Sequence, residues 1–162
     1  MEKQPDKIKR FFLMLIGWVV AVTAIIGGSF IYTAYQGSQY EASAVPYIKQ
    51  VIPVLSEWDA KATRELMAAE TVADIPEENF AKAMNLFSKL GTLEEAGEPE
   101  FVELVEDERD PNAIRTLLTY TVKTRFSEGY ATYTIQLIDR GDHFQVFNFN
   151  LSSETLTGKV QQ

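Results

Sequence analysis

Apolar residues are distributed in three ways along this chain: first an uncharged run, then a helical spacing, then an alternation. Residues 11–35 contain no charged side chain and read FFLMLIGWVVAVTAIIGGSFIYTAY. A helix needs about 20 mostly apolar residues to cross the hydrocarbon core of a bilayer, and it satisfies its own backbone hydrogen bonds there. We therefore predict that residues 11–35 form a transmembrane helix, which makes the lipid bilayer the first expected partner.

The segments that flank this run indicate its orientation. Residues 1–10 contain four basic and two acidic side chains, whereas Tyr32, Tyr35 and Tyr40 lie at the other end. Basic flanks stay on the cytoplasmic side, and tyrosines favour the headgroup level. We expect a single-pass signal-anchor protein with a cytoplasmic N-terminus and a domain on the periplasmic side of a bacterial inner membrane. Residues 42–44 (Ala-Ser-Ala) also fit a signal-peptide cleavage site, but the apolar run is longer than such a peptide has.

Three small residues in the run offer a contact between membrane helices. Ala24 and Gly28 are four residues apart, and Gly27 adjoins Gly28. Such pairs let two helices approach closely, although single pairs also occur on helices that face lipid. Packing against a second membrane helix and simple exposure to lipid therefore both stay open.

Two segments after a polar connector at residues 36–44 have helical spacing. The connector can break the membrane helix, or the helix can run straight through it. The first segment extends from about residue 45 to 69, with Ser43 as its N-cap and Pro53 as the point that kinks or divides it. Its apolar positions are Tyr47, Ile48, Val51, Ile52, Leu55, Trp58, Ala62 and Leu66.

The second helical segment has clear start and stop signals. It begins near Ile75, where Asp74 and Glu77 match a capping box, and Gly91 ends it. Its apolar stripe consists of Phe80, Ala83, Met84, Phe87 and Leu90.

From residue 100 the apolar residues alternate with polar ones, as in strands. We predict strands over residues 100–105, 113–126, 130–138 and 144–151, joined by turns at residues 108–112, 127–129 and 140–142. We expect the tail at residues 154–162 to fray, because it has little apolar content. The predicted fold is α+β: a transmembrane helix, then two amphipathic helices packed on a curved antiparallel sheet of three to four strands.

This order of elements, together with the closing stretch FQVFNFNLSS at residues 144–153, resembles the cystatin-like or NTF2-like roll of small exported or membrane-anchored bacterial proteins. The resemblance covers residues 45–153. It implies a roll whose relatives include isomerase-like enzymes, ligand-binding domains and assembly subunits of secretion systems. Because proteins of one fold can have any of these functions, the resemblance does not identify the function of this chain. The chain also contains no matching catalytic motif.

Charge and composition exclude several classes of function. The chain has a net charge of −8, and because residues 1–10 contribute +2, the remainder carries −10. Nucleic acids and anionic headgroups would repel such a domain, so we expect no nucleic-acid partner. The absence of cysteine excludes disulfides, thiol catalysis and cysteine metal sites. We expect no cofactor.

Three short motifs suggest chemistry that turn structure explains more simply. His143 lies beside Asp139 and Asp142, where a metal site or an acid–base pair is conceivable, but a solvated turn histidine is favoured. Residues 140–142 spell the integrin-binding tripeptide Arg-Gly-Asp, which is also ordinary hairpin sequence. An acidic cluster lacks the spacing of a calcium loop, and it consists of Glu106, Asp107, Glu108 and Asp110.

The concave face of the predicted roll is the main candidate for a pocket or a partner surface. Its aromatic residues can line a ligand pocket, form a partner groove, or simply fill the core. The candidate residues are Trp58, Tyr120, Arg125, Tyr130, Tyr133, Phe147, Asn148, Phe149 and Asn150.

Three functions fit these observations. The first is a non-catalytic accessory or assembly subunit of a membrane or envelope complex, whose partner is another membrane or envelope protein or a second copy of this chain. The second is a small-molecule binding or sensing domain. The third is an isomerase-like or dehydratase-like enzyme, which would need an acid or base such as Asp139 or Tyr120 in the pocket.

Overall fold

A five-stranded antiparallel sheet organises the part of the protein that the computed structural model describes, which is residues 38–73, 75–107 and 115–157. The predicted membrane helix, with Ala24, Gly27 and Gly28, lies outside these residues. Asp74 of the capping box and the turn at residues 108–112 also lie outside them. Within the described ranges, no helix has both the length and the apolar character needed to cross a bilayer.

The first predicted helix is two helices in the structure. Helix α1 covers residues 38–55 of the described chain, and α2 covers Ala60–Leu66. Helical structure therefore occupies the connector from residue 38 onward, and Ser43 is not an N-cap, since its hydroxyl donates to the Tyr40 carbonyl inside α1. The division comes after Pro53, at Trp58 and Asp59: Trp58 has a positive φ of 61°, and the Asp59 carboxylate caps α2 by accepting from the Ala62 amide.

Two further helical segments lead into the sheet. The short helix α3 covers Ala69–Val72, and α4 covers Glu77–Phe87, continued by a 3₁₀ turn at Ser88–Leu90. The predicted stop at Gly91 is confirmed: its φ is +80°, and a Cβ there would lie 2.0 Å from the Ser127 hydroxyl oxygen. The buried residues of this segment are Phe80, Met84 and Leu90.

The sheet confirms the predicted α+β class and contains one more strand than expected. Its strands are β1 (Leu93–Ala96), β2 (Glu100–Asp107), β3 (Arg115–Phe126), β4 (Gly129–Asp139) and β5 (Phe144–Ser152). Strand β3 pairs with β1 and β2 on one side and with β4 on the other, and β5 pairs with β4. Strand β1 was missed because its four residues, LEEA, contain no alternation that distinguishes them from a loop.

Alternating side chains give the sheet two unlike faces. The covered face packs against α1 and α4 and carries the buried side chains of Leu118, Tyr120, Phe126, Tyr133 and Ile135. The other face, here the open face, carries mainly polar residues. At one end of it, Leu117, Ile138 and Ala68 form a small second cluster against Phe147.

The expected fraying of the tail is wrong for its first residues. Helix α5 covers Glu154–Thr157, directly after β5. The Ser153 hydroxyl donates to the Tyr130 carbonyl at 2.6 Å, and the Thr155 hydroxyl donates to the Glu128 carbonyl at 3.2 Å. These hydroxyl contacts hold the tail against the β3–β4 hairpin, and the apolar content of the sequence does not reveal them.

Candidate functional site

The nine candidate residues lie on both faces of the sheet and do not form one pocket. Four of them, Trp58, Tyr120, Tyr133 and Phe149, belong to the core on the covered face. The other five, Arg125, Tyr130, Phe147, Asn148 and Asn150, belong to the open face.

The covered-face members contact one another through a chain of aromatic rings. Trp58 lies 5.4 Å from Phe126 and 6.3 Å from Phe87, measured between ring centroids. Phe149 lies 6.3 Å from Phe87 and 6.4 Å from Tyr133. These spacings are those of packed aromatic pairs. The rings therefore fill the space between the helices and the sheet, which is one of the three roles that the sequence left open for these residues.

Two buried tyrosines on this face differ in how their hydroxyls are satisfied. The Tyr133 hydroxyl lies 2.9 Å from that of Ser56, which itself donates to the Ile52 carbonyl. The Tyr120 hydroxyl has no hydrogen-bond partner among the described residues. Burial raises the pKa of both phenols, with Glu41 adding to the effect at Tyr120, whose pKa is about 12.

A β-bulge explains why Phe147 and Phe149 lie on opposite faces although they are two residues apart. Asn148 pairs with Gln136 and Val146 pairs with Leu137, so Phe147 is the extra residue in β5. Phe149 consequently packs into the core, while Phe147 contacts the second cluster. Simple alternation placed both rings on one surface, and no residue type in this stretch indicates the bulge.

The open face contains a groove of about 730 Å³ beside the β3–β4 hairpin. Tyr130 is 74% exposed at this groove, more than any other large apolar or aromatic residue in the described chain. The remaining side chains that define its character are Glu95, Lys123, Arg125, Thr132 and Ser152. Arg125 and Tyr130 are the two predicted residues that line this groove, and they are cross-strand partners.

The basic side chains of the groove already have acidic neighbours. Arg125 forms ion pairs with Glu94 and, at 3.4 Å, with Glu95. Lys123 forms an ion pair with Glu100 at 3.2 Å. Exposed pairs of this kind contribute little to stability, and a partner can exchange them. Sequence reasoning missed Glu94, Glu95 and Glu100 in this role. Their contacts depend on the pairing of β1 and β2 with β3, which the sequence does not predict.

Comparison with known proteins adds no family to this geometry. No model of a protein family matches the chain, and no curated protein sequence matches it.

A second hollow, of about 440 Å³, lies between α1 and the β4–β5 hairpin. Tyr40, Tyr47, Asp139 and His143 are among the residues that line it. His143 Nδ1 lies 2.6 Å from the Asp142 carboxylate, and this contact holds the pKa of Asp142 below its ordinary value. Within the described residues, no group of three or more His, Asp or Glu side chains is arranged to hold a metal ion.

The arginine of the Arg-Gly-Asp tripeptide is engaged within the domain. Arg140 donates to Glu70 at 2.7 Å and to the Gln145 side chain at 2.9 Å. Arg115 lies 3.6 Å from the same Glu70 carboxylate. Burial alone would raise the pKa of Glu70, but a backbone hydrogen bond and Arg140 hold it below its ordinary value. This network ties α3 to the sheet and gives Arg140 a structural role.

Proposed function

We propose that this chain is a non-catalytic, single-pass membrane protein whose extracytoplasmic domain is an accessory subunit of a membrane or envelope complex. Residues 11–35 are the proposed anchor, with the N-terminus in the cytoplasm. The domain is proposed to be a roll of the cystatin-like or NTF2-like kind. The groove at Tyr130 is the proposed contact with a partner membrane or envelope protein.

The observation that carries this proposal is the exposure of Tyr130. A tyrosine ring that is 74% exposed adds nothing to the core, yet tyrosine is among the residues that dominate protein interfaces. Arg125, another residue type enriched at interfaces, lies opposite it. Threonine and serine side chains surround them and can supply a polar rim.

Charge supports a protein partner over a nucleic acid or an anionic membrane surface. The part of the chain after residue 10 carries a net charge of −10, which repels both polyanions. The two cations of the groove are also engaged by Glu94, Glu95 and Glu100. A partner that binds there meets a mixed surface with charges of both signs.

Site-specific photo-crosslinking in native membranes tests this proposal. A photoreactive phenylalanine analogue replaces Tyr130 in the tagged full chain, and the matched control carries the same analogue at Leu86, an exposed apolar residue of α4. We expect position 130, and not position 86, to form an adduct with one defined membrane protein that also co-purifies stoichiometrically. Loss of that complex in Tyr130→Ala would support the groove as its site. A chain that purifies alone, with no adduct from position 130, would overturn the accessory role.

The volume of the groove favours small-molecule binding as a second candidate. About 730 Å³ lies within the size range of ligand sites, although sites of that kind bury most of their ligand and are lined mainly by apolar groups. A ligand that binds only the native state raises its apparent stability. A thermal-shift screen on the full chain would support this candidate if a compound raised the melting temperature of the wild type and not of Tyr130→Ala.

The enzyme alternative has the least support. A general acid or base works best when its pKa lies near the operating pH. The pKa of Tyr120 moves away from neutrality, to about 12, and its side chain is buried among the core aromatics. Asp139 lies at the other hollow, where its carboxylate accepts the Gly141 amide at 2.7 Å. The two candidate groups thus belong to different environments and do not form a common site.

A further inference from the structure

Strand β2 forms an edge of the sheet. Among the described residues it pairs with β3 alone, so its other side has no partner strand. In an edge strand, every second residue directs its N–H and C=O groups away from the sheet, where they can pair with an added strand. Such edges are used for recognition by strand addition.

Strand β2 presents exposed apolar side chains at this edge. Val102 is 44% exposed and Val105 is 42% exposed, so one strand carries two of the four exposed large apolar residues in the described chain. Strand β2 contains neither lysine nor proline, and its acidic side chains and its bulge are the features that protect it against unselective pairing. A bulge lies at Val102, and the pairing with β3 is regular from Glu103 onward.

The charges of β2 select between two possible occupants. Glu103 and Glu106 are exposed, and neither forms an ion pair with a cation in the residues that the structure describes. A second copy of β2 would bring like charges into cross-strand contact, which is destabilising. An extended segment with basic residues would gain from the same charges.

We propose that β2 binds an extended, basic segment of a partner protein by strand addition. This deepens the proposed accessory role and rests on it, because it names the kind of segment through which the partner docks. Glu103 and Val105 pair with Thr119 and Leu117, so both point towards the open face. The added segment would place a lysine or arginine beside Glu103 and an apolar residue beside Val105, two positions away.

The edge is continuous with the groove at Tyr130. Lys123, which lines the groove, forms its ion pair with Glu100 at the start of β2. Gly97, just before β2, donates its amide to the Lys123 carbonyl at 2.8 Å. A partner that occupies the groove therefore lies beside the start of β2, from which a segment can extend along this strand.

Peptide binding to the full chain in phosphatidylcholine nanodiscs tests this proposal. The probe is a fluorescent nine-residue peptide, KTVTKTVTK, and binding is measured by anisotropy. We expect Glu103→Lys combined with Glu106→Lys to weaken binding about tenfold or more. The matched control, Glu57→Lys combined with Glu65→Lys, changes the net charge equally at exposed positions outside the sheet and should leave the affinity within about twofold.

Two further peptides separate strand addition from general attraction. A version of the probe N-methylated at alternate residues keeps its charge and loses the backbone donors of one edge, so we expect it not to bind. Equal binding of that peptide, or equal weakening in the control variant, would overturn the proposal. A peptide with the β2 sequence EFVELVED that bound better than the basic probe would also overturn it, in favour of pairing between copies. Absence of the Tyr130 adduct with retained probe binding would instead contradict only the accessory role.

Discussion

The two faces of the sheet use the same residue types for opposite purposes. Tyr133 and Tyr130 lie three residues apart in β4, yet Tyr133 is fully buried and Tyr130 is 74% exposed. The covered face uses rings to fill the core, and the open face presents one ring beside exchangeable ion pairs. The core packing and the proposed recognition thus involve different faces, so we expect that substitutions can change one property without the other.

The largest expected contrast is between Phe126→Ala and Tyr130→Ala. Phe126 is 2% exposed and contacts both Trp58 and Tyr133, so its removal leaves a cavity in the core. We expect it to lower the free energy of unfolding by about 3–5 kcal/mol. Tyr130→Ala should change it by no more than about 0.5 kcal/mol. Urea denaturation of the full chain in mild detergent measures both free energies of unfolding. Similar losses would show that the Tyr130 ring is packed in the folded state and is not free to bind a partner.

How much of this arrangement the sequence predicts depends on the residues involved. The α4 stripe and strands β3 to β5 follow from periodicity, because each has a pattern that extends over many residues, whereas the Gly91 stop follows from one residue type. The interruption of the first predicted helix follows from Pro53, but the place where α2 restarts does not, since a tryptophan with positive φ is not foreseeable from its neighbours. Alternation alone places Arg125 opposite to Tyr120, and Tyr130 opposite to Tyr133, across the sheet. Only the separation of Phe147 from Phe149 depends on the bulge in β5, which no residue type indicates.

Trp58→Phe tests the junction where α1 meets α2. The indole N–H of this left-handed residue donates to the Gly91 carbonyl at 2.8 Å, which ties the junction to the end of the α4 segment. Phenylalanine keeps the ring contact with Phe126 and loses this bond. We expect a loss of about 1–2 kcal/mol in the same unfolding measurement. Phe87→Leu, which removes a neighbouring ring and no hydrogen bond, is the control for packing; an unchanged stability for Trp58→Phe would contradict a role for the bond.

Tyr133→Phe tests the hydrogen bond buried under the covered face. Its hydroxyl contacts Ser56, which keeps its own bond to the Ile52 carbonyl when the phenol is removed. We expect a loss of about 1 kcal/mol. A double-mutant cycle with Ser56→Ala measures the coupling, and strictly additive losses would show that the two hydroxyls do not stabilise each other.

Tyr120→Phe should have the smallest effect at neutral pH, although Tyr120 is as deeply buried as Tyr133. Its hydroxyl is buried without a partner among the described residues, so the native state gains nothing from it. Removing an unsatisfied buried hydroxyl removes a desolvation cost. We expect the free energy of unfolding to stay within about 0.5 kcal/mol of the wild type or to rise slightly. A loss of stability as large as that of Tyr133→Phe would contradict this, because it would mean that the Tyr120 hydroxyl makes a hydrogen bond in the folded state.

The pH dependence of stability at alkaline pH shows whether the Tyr120 hydroxyl is buried, or whether the position simply accepts phenylalanine. The folded pKa of Tyr120 is about 12, above its ordinary value of 10.0, because burial and Glu41 oppose the phenolate. The unfolded chain therefore releases the proton first, so the stability that depends on the neutral phenol is complete below pH 10 and is lost as the pH rises towards 12. Phenylalanine has no proton to release. Tyr120→Phe should thus lose less stability than the wild type between pH 9 and 11, and parallel curves would show that the phenol of Tyr120 reaches water in the folded state.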